Sequence, residues 1–329
     1  MGIDLKPEVN LGRRLVQKRN LKPPVDVAAI VGEYAELLFK PFPFIGVDGL
    51  SVNLKVPGKK TKVIVNSLNP EVRQRFTLAH ELGHILIPWH VGTIADSLEP
   101  SEVDDSLAYW QMELEANTFA AEVLMPAHWL VPQLAGKANL ARAHADVTHI
   151  CQVSPMAAAR RISDLTPDHV VYATERDGQV EFSGRSSSTL ASSIPWGAEW
   201  PTEPYPYAVS YDVRPLQGGR RAHWWRLPKE LDVQSSDTRE WREILSTIVS
   251  DLGLSGKAAE KFKASVSGVL AYANSATKQS ADYSIQRVAA AAFQRLQDRD
   301  EYREFVKHEL FNAFLLRKSE ELYERNRKE

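Results

Sequence analysis

The chain predicts an α+β fold, and three observations carry that reading. The segment "LSVNLKVPGKKTKVIVN" at 50–66 alternates apolar and polar residues on either side of a Pro-Gly turn, the pattern of a β-hairpin. Two long helical patterns follow, one from Asn69 to Pro88 and one from Leu107 to Pro126. After Thr166 the order repeats, with strand-turn-strand patterns first and then an apolar-periodic helical block from about Asp237 onward.

The elements can be justified in order. "PPVDVAAIVGEYAELL" at 23–38 reads as an amphipathic helix with Asp26 as its N-cap after two prolines. The hairpin comes next. The helix at "NPEVRQRF" has Asn69 as a cap, Pro70 at the first helical position and Glu71 to complement the dipole. From Trp89 to about Ser106 the chain is acidic and irregular, and its residues 94–105 form a loop long enough to lie over a site. "VTHICQVSPMAAARRISDL" at 147–165 gives two short helices around a turn, with Arg160 and Arg161 on the second. That is a helix-turn-helix-like arrangement, in which base or phosphate contacts come from the second helix. Beyond it, "HVVYATERDGQVEFSGRSSS" and "PYAVSYDVRPLQGGRRAHWWRL" are hairpins on Asp-Gly and Gly-Gly turns, joined by an ordered Ser/Pro/Trp-rich loop. Trp241, Ile244, Leu245, Ile248, Val249 and Leu252 form one apolar helical stripe closed by Gly253. Tyr302, Val306, Leu310, Ala313 and Phe314 form another, in a charged C-terminal helix. The expected division is 1–127, 128–166 and 167–329.

Composition narrows the function. The 329 residues carry 40 Lys and Arg against 42 Asp and Glu, a formal charge of −2, which argues against a strongly electropositive nucleic-acid binder. One cysteine, Cys151, allows no internal disulfide and no cysteine-rich metal site. The first twenty residues lack the apolar core of a signal peptide, and no apolar run approaches the ~20 residues that span a bilayer. The expectation is a soluble cytoplasmic protein with no membrane partner.

The chemistry concentrates in His80-Glu81-Leu82-Gly83-His84. Histidines at i and i+4 project from one helix face, close enough to share a cation. Glu81, one position on, is placed to take a proton rather than to ligate. A buried helix that happens to carry two histidines is the plain alternative, and a third ligand is what weighs against it. The second helix offers "ELEAN", with Glu113, Glu115 and Asn117; Glu113 and Asn117 share a face, so a carboxylate can bind metal while the amide steadies an imidazole. Tyr109, one turn before Glu113, is a candidate oxyanion donor, with packing the competing role. His90, beyond the helix-ending Pro88, reads as a surface histidine. The hairpin at 50–66 offers an edge strand for an extended substrate.

"RQRFTLAHELGH" followed by "ELEANTFAAEVLMP", with "PPVDVAAI" upstream, resembles the ImmA/IrrE family of zinc metallopeptidases over residues 20–166. The resemblance implies a gluzincin-like core at 1–127 with one Zn2+ per chain held by His80, His84 and a glutamate of the second helix. The family's E-x-x-A-N pattern makes that glutamate Glu113, with Glu115 the alternative. It implies Glu81 as general base and a protein substrate, typically a helix-turn-helix transcriptional repressor. Cutting it would derepress a stress-response, mobile-element or phage-defence operon on a DNA or small-molecule signal. A helical appendage at 128–166 is usual in such relatives. The region 167–329 follows no GAF-like order and is expected to be an α+β regulatory or interaction domain. A DNA-binding regulator that uses the protease fold as a scaffold is the second reading, and an antitoxin-like interaction module the third.

Overall fold

The computed structural model describes residues 6–42, 46–97, 106–134 and 139–328. They fall into two compact units, Met1–Leu165 and Thr166–Glu329, and the whole is mixed α and β.

The first unit begins with α1 (Pro7–Lys18) and α2 (Val27–Tyr34). Asp26 caps α2 as its sequence position suggests, accepting from the Ala29 N–H at 3.0 Å. The helix stops sooner than its apolar pattern does, and Glu36–Lys40 forms strand β1. Short apolar runs such as "ELLF" suit either state, and pairing decides: β1 lies parallel to β3 (Lys62–Asn66), with Leu37 opposite Val63. Strand β2 (Val47–Leu54) and β3 form the expected antiparallel hairpin. The sheet order is β1-β3-β2-β4, however, so neither hairpin strand is an edge. The edge-strand reading of 50–66 is corrected on that ground. Strand β4 (Gly92–Ser97) covers β2 where the sequence suggested only irregular chain. The remainder of the acidic loop, residues 98–105, lies outside the described residues.

Helix α3 (Glu71–Leu86) packs on β2 and against α4 (Ser106–Leu124). Asn69 does not cap α3; it donates instead to Asp48 at 2.8 Å. Gly83 is what lets α3 and α4 close up. A Cβ there would stand 3.2 Å from the Ala116 Cα and 3.2 Å from Phe119. Around that crossing Ala79, Leu82, Ala116, Phe119, Ala120 and Val123 are fully buried.

The unit finishes with α5 (Ala127–Leu134), α6 (Leu140–Cys151) and α7 (Pro155–Leu165). Gln152, with φ 53°, ends α6, and His144 on α6 meets the Pro155 carbonyl at 2.7 Å across the turn. Arg161 does not face outward, as a nucleic-acid contact would. It is buried, ion-paired to buried Glu122 of α4, and donates to the Met125 carbonyl at 3.1 Å. Glu122 also accepts from the Ala127 N–H at 3.1 Å and lies 3.5 Å from Arg13 of α1. One buried carboxylate thus ties α1, α4, α5 and α7 together, a charge kept inside because it is fully partnered.

The second unit opens with four antiparallel strands, β5 (Val170–Arg176), β6 (Gln179–Arg185), β7 (Ser210–Pro215) and β8 (Arg221–Arg226), in the order β6-β5-β8-β7. The turns are those the dipeptides demand: Asp177 and Gly178 have φ 53° and 78°, Gly218 and Gly219 have φ 72° and 74°. "HWWR" lies on central strand β8 with His223, Trp224 and Trp225 buried. The Trp-rich loop packs Trp200 over His223 at 4.1 Å. These aromatics are sheet and loop packing. Helices α8 (Trp241–Asp251), α9 (Gly256–Thr277), α10 (Ile285–Gln297), α11 (Arg303–Lys307) and α12 (Phe311–Lys328) build a separate core around Ile244, Val266, Leu270, Val288 and Phe314. The single C-terminal helix expected through 302–314 is broken into a 3-10 turn, α11 and α12. Tyr302, Phe305 and Phe311 all turn inward there, which one straight stripe does not allow.

Candidate metal centre

Three buried side chains from two helices meet at one point. His80 and His84 lie a turn apart on α3, so their imidazoles share a face, and the tight α3–α4 crossing at Gly83 brings Glu113 of α4 to them. The His80 Nε2 and His84 Nε2 are 2.9 Å apart. Glu113 Oε2 lies 3.2 Å from the first, and Glu113 Oε1 lies 3.4 Å from the second. Among the described residues this is the one group of three or more such side chains converging closely enough to hold a metal ion. Glu115, the alternative from the sequence, points elsewhere.

The donors fit a zinc-sized tetrahedral ion. Ligands about 2.0–2.1 Å from such an ion stand about 3.3 Å from one another, close to the three separations found. Protons alone leave the cluster poorly satisfied. His80 Nδ1 faces the Asn117 Oδ1 at 3.0 Å, and an amide oxygen only accepts, so the neutral ring carries its proton there and turns a bare Nε2 inward. Glu113 Oε1 is buried without a hydrogen bond. Lone pairs that face each other in a dry site call for a cation.

Electrostatics point the same way. Burial pushes His84 down to about 4, so its ring is neutral at pH 7, as a ligand must be. Burial works to raise the Glu113 carboxyl, while protons on the two facing imidazoles work against it and hold it at about 2, so it stays anionic. With a metal in the place of those protons, the set would be two imidazole nitrogens and one anionic oxygen.

Glu81 is fully buried on the strand side of α3. Ser51 of β2 donates to its Oε2 through a short hydrogen bond. Gly49 leaves it room, since a Cβ there would fall 2.3 Å from Glu81 Oε1 and 2.5 Å from Thr77 Cγ2. Neither Gly49 nor Ser51 is conspicuous in the sequence, because nothing local says that β2 crosses under α3. Tyr109 is half-buried on α4, its ring edge-on to Trp110 at 6.0 Å.

His90 is the main correction in the site. Read from sequence as a surface histidine, it is fully buried. The chain turns at Pro88, the His90 N–H returns to the Ile87 carbonyl at 3.2 Å, and the imidazole folds back beneath the end of α3. Its Nδ1 lies 2.8 Å from His84 Nδ1, and its Nε2 lies 3.1 Å from Glu115 Oε2. Burial lowers its pKa. Glu115 is therefore anchored at His90 rather than at the converging trio.

Residues 36–163 match the model of the IrrE N-terminal-like domain. The chain is 28% identical over 206 residues to the radiation response metalloprotease IrrE of Deinococcus deserti, covering 54% of this chain and 72% of that protein. It is 30% identical over 120 residues to the protein of the same name from Deinococcus radiodurans, covering 36% of this chain and 35% of that one. A solved Mycobacterium tuberculosis transcriptional regulator aligns at a TM-score of 0.39 and 11% identity, over 68% of this chain and 88% of that one, too distant a likeness to carry an argument. Among the described residues no helix is long and apolar enough to cross a membrane. The family model spans the sheet, both site helices and the His80–His84–Glu113 cluster, and with the two relatives it supports membership of residues 36–163 in the ImmA/IrrE family.

Proposed function

We propose that the first unit is a zinc-dependent endopeptidase acting on a partner protein. The observation that carries this is the buried pair His80 Nε2 and His84 Nε2, 2.9 Å apart, with Glu113 Oε2 3.2 Å from the first and Glu113 Oε1 3.4 Å from the second, beside a second buried carboxylate, Glu81. The metalloprotease names of the two Deinococcus relatives support it. Zinc, when bound, supplies a Lewis acid that acidifies a water and polarises a carbonyl. The protein's own groups do the rest. His80, His84 and Glu113 hold the ion. Glu81 takes the proton of the attacking water at its carboxylate and delivers it to the leaving amine. Ser51 keeps that carboxylate from rotating away, and Gly49 keeps the space it occupies. Tyr109 is the candidate donor to the oxyanion.

The substrate in this reading is a helix-turn-helix transcriptional repressor, and cutting it relieves repression of a stress-response, mobile-element or phage-defence operon in the cytoplasm. Residues 1–127 are the protease core, 128–166 a helix-turn-helix-like appendage, and 167–329 a regulatory or interaction domain that answers to DNA or a small molecule. The rival reading, a DNA-binding regulator built on a protease scaffold, loses support because Arg161 is committed to Glu122 inside the unit.

Glu81→Gln separates the two. General-base loss costs on the order of 10²–10⁴ in rate, while all three ligands remain and zinc content stays at wild type. The assay follows an epitope-tagged repressor, encoded beside this gene, in cells under DNA damage or infection. If wild type and Glu81→Gln relieve repression equally and neither cuts the repressor, the scaffold reading replaces the protease.

A further inference from the structure

We infer that His90 and Glu115 are positioning residues, which fix the proton of His84 on Nδ1 and so keep its Nε2 bare for the metal. The inference deepens the metal-site reading and rests on it. It starts from a count of protons. His84 serves as an Nε2 ligand only in the tautomer protonated at Nδ1, and that nitrogen faces another imidazole nitrogen, His90 Nδ1, at 2.8 Å. One proton fits between the two. Were it carried by His90, neutral His84 would hold its own on Nε2, aimed at His80 and Glu113, and the ligand would be lost.

The far side of His90 decides the matter. Its Nε2 lies 3.1 Å from Glu115 Oε2, and a carboxylate is an acceptor only. The His90 proton therefore sits on Nε2, its Nδ1 is left as a lone pair, and His84 Nδ1–H donates to it. Glu115 is itself held from two sides, by Trp89 Nε1–H at 2.6 Å to Oε2 and by the Gln111 amide at 2.8 Å to Oε1. The two rings are held in register through their backbones: the Lys55 ammonium donates to the His84 carbonyl at 2.9 Å and to the His90 carbonyl at 2.6 Å. The rings of His90 and His84 are fully buried and Glu115 is nearly so, so water competes little for the bonds. His80 gets the same service from a single amide, Asn117.

The test uses full-length apo-protein, titrated with Zn2+ against a chromophoric chelator, with the His84 tautomer read by nitrogen-15 NMR before metal is added. Loss of partners of this kind costs about 10–100-fold in metal affinity, and His90→Leu is expected to lose that much. His90→Asn puts an amide oxygen near the place of Nδ1 and is expected to recover most of it. A residue that only fills space gives the opposite order, because leucine suits a buried apolar gap better than asparagine. Glu115→Gln is expected to mix the His84 tautomers. Wild-type affinity in His90→Leu, with His84 still protonated on Nδ1, overturns the proposal. If wild type binds no zinc, the metal reading falls, and the tautomer shift between wild type and His90→Leu still decides whether the relay exists.

Discussion

His84 in the first unit and His223 in the second are alike by the usual measures: both are buried, and burial pushes both down to about 4. Their surroundings are opposite in kind. His223 is packed between rings, with Trp200 at 4.1 Å and Tyr211 at 5.9 Å, and the Tyr211 hydroxyl meets its Nδ1 at 2.7 Å. Its hydrogen bonding ends inside the sheet, and nothing around it converges on a shared point. Around His84, acceptors from three side chains do converge, and a file of buried polar groups stands behind them. A depressed histidine pKa reports burial in both places. The convergence of lone pairs is what distinguishes a site from a packed core.

The largest effect expected from this contrast is in metal content. His84→Ala should lose the bound zinc and all proteolysis, whereas His223→Ala should keep a full equivalent and lose only stability, about 0.5–3 kcal/mol for truncating a buried ring. Elemental analysis beside thermal melts reads both, and zinc loss from His223→Ala would erase the distinction.

Next is Gly49→Ala. The added carbon would fall 2.3 Å from Glu81 Oε1, so Glu81 has to move although no ligand is touched. Cleavage should drop by about 10²-fold or more with zinc retained. Near-normal turnover would mean that Glu81 is not held where its role requires.

Arg161→Ala probes a buried ion pair of the first unit that lies outside the site. Stranding Glu122 should cost about 3–5 kcal/mol, while exposed Arg160→Ala should be close to neutral. Denaturant unfolding compares the pair. Equal stability with a selective loss of DNA binding in Arg161→Ala would restore the nucleic-acid reading of α7.

The smallest effect is in pH. His223 and His144 sit near 4 in the folded protein, against an ordinary 6.5. The unfolded chain thus binds more protons than the folded one between those values. Their contribution to stability is full above about 6.5 and is lost as pH falls toward 4. His223→Gln should flatten that decline for the second unit by a few degrees of melting temperature, since 1 kcal/mol shifts Tm by about 2–4 °C at this size. The second unit keeps the part due to His169, which burial also holds near 4, and the first unit should still show its own decline, through His144 and His84. An unchanged slope would mean that His223 charges freely in the folded state.

What was legible in the sequence was whatever depends on neighbours in the chain. Asp26 caps α2 because a cap bonds a backbone N–H three residues on. The Asp177-Gly178 and Gly218-Gly219 turns need positive φ, and their residues tolerate it. His80 and His84 share a face because 3.6 residues make a turn, whatever the rest of the protein does. The narrowing to Glu113 came from the family pattern rather than from spacing, since Glu113 and Glu115 stand two positions apart on the same helix. The depth to which Gly83 lets α3 and α4 approach brings the first to the imidazoles and leaves the second beneath His90. The same holds for His90 itself, for Gly49 under Glu81, and for the burial of both hairpin strands between β1 and β4. Helical periodicity is a local property of the backbone, so it is written in the spacing of residues. Which lone pairs meet is set by the packing of elements far apart in the chain, and that packing exists only in the folded molecule.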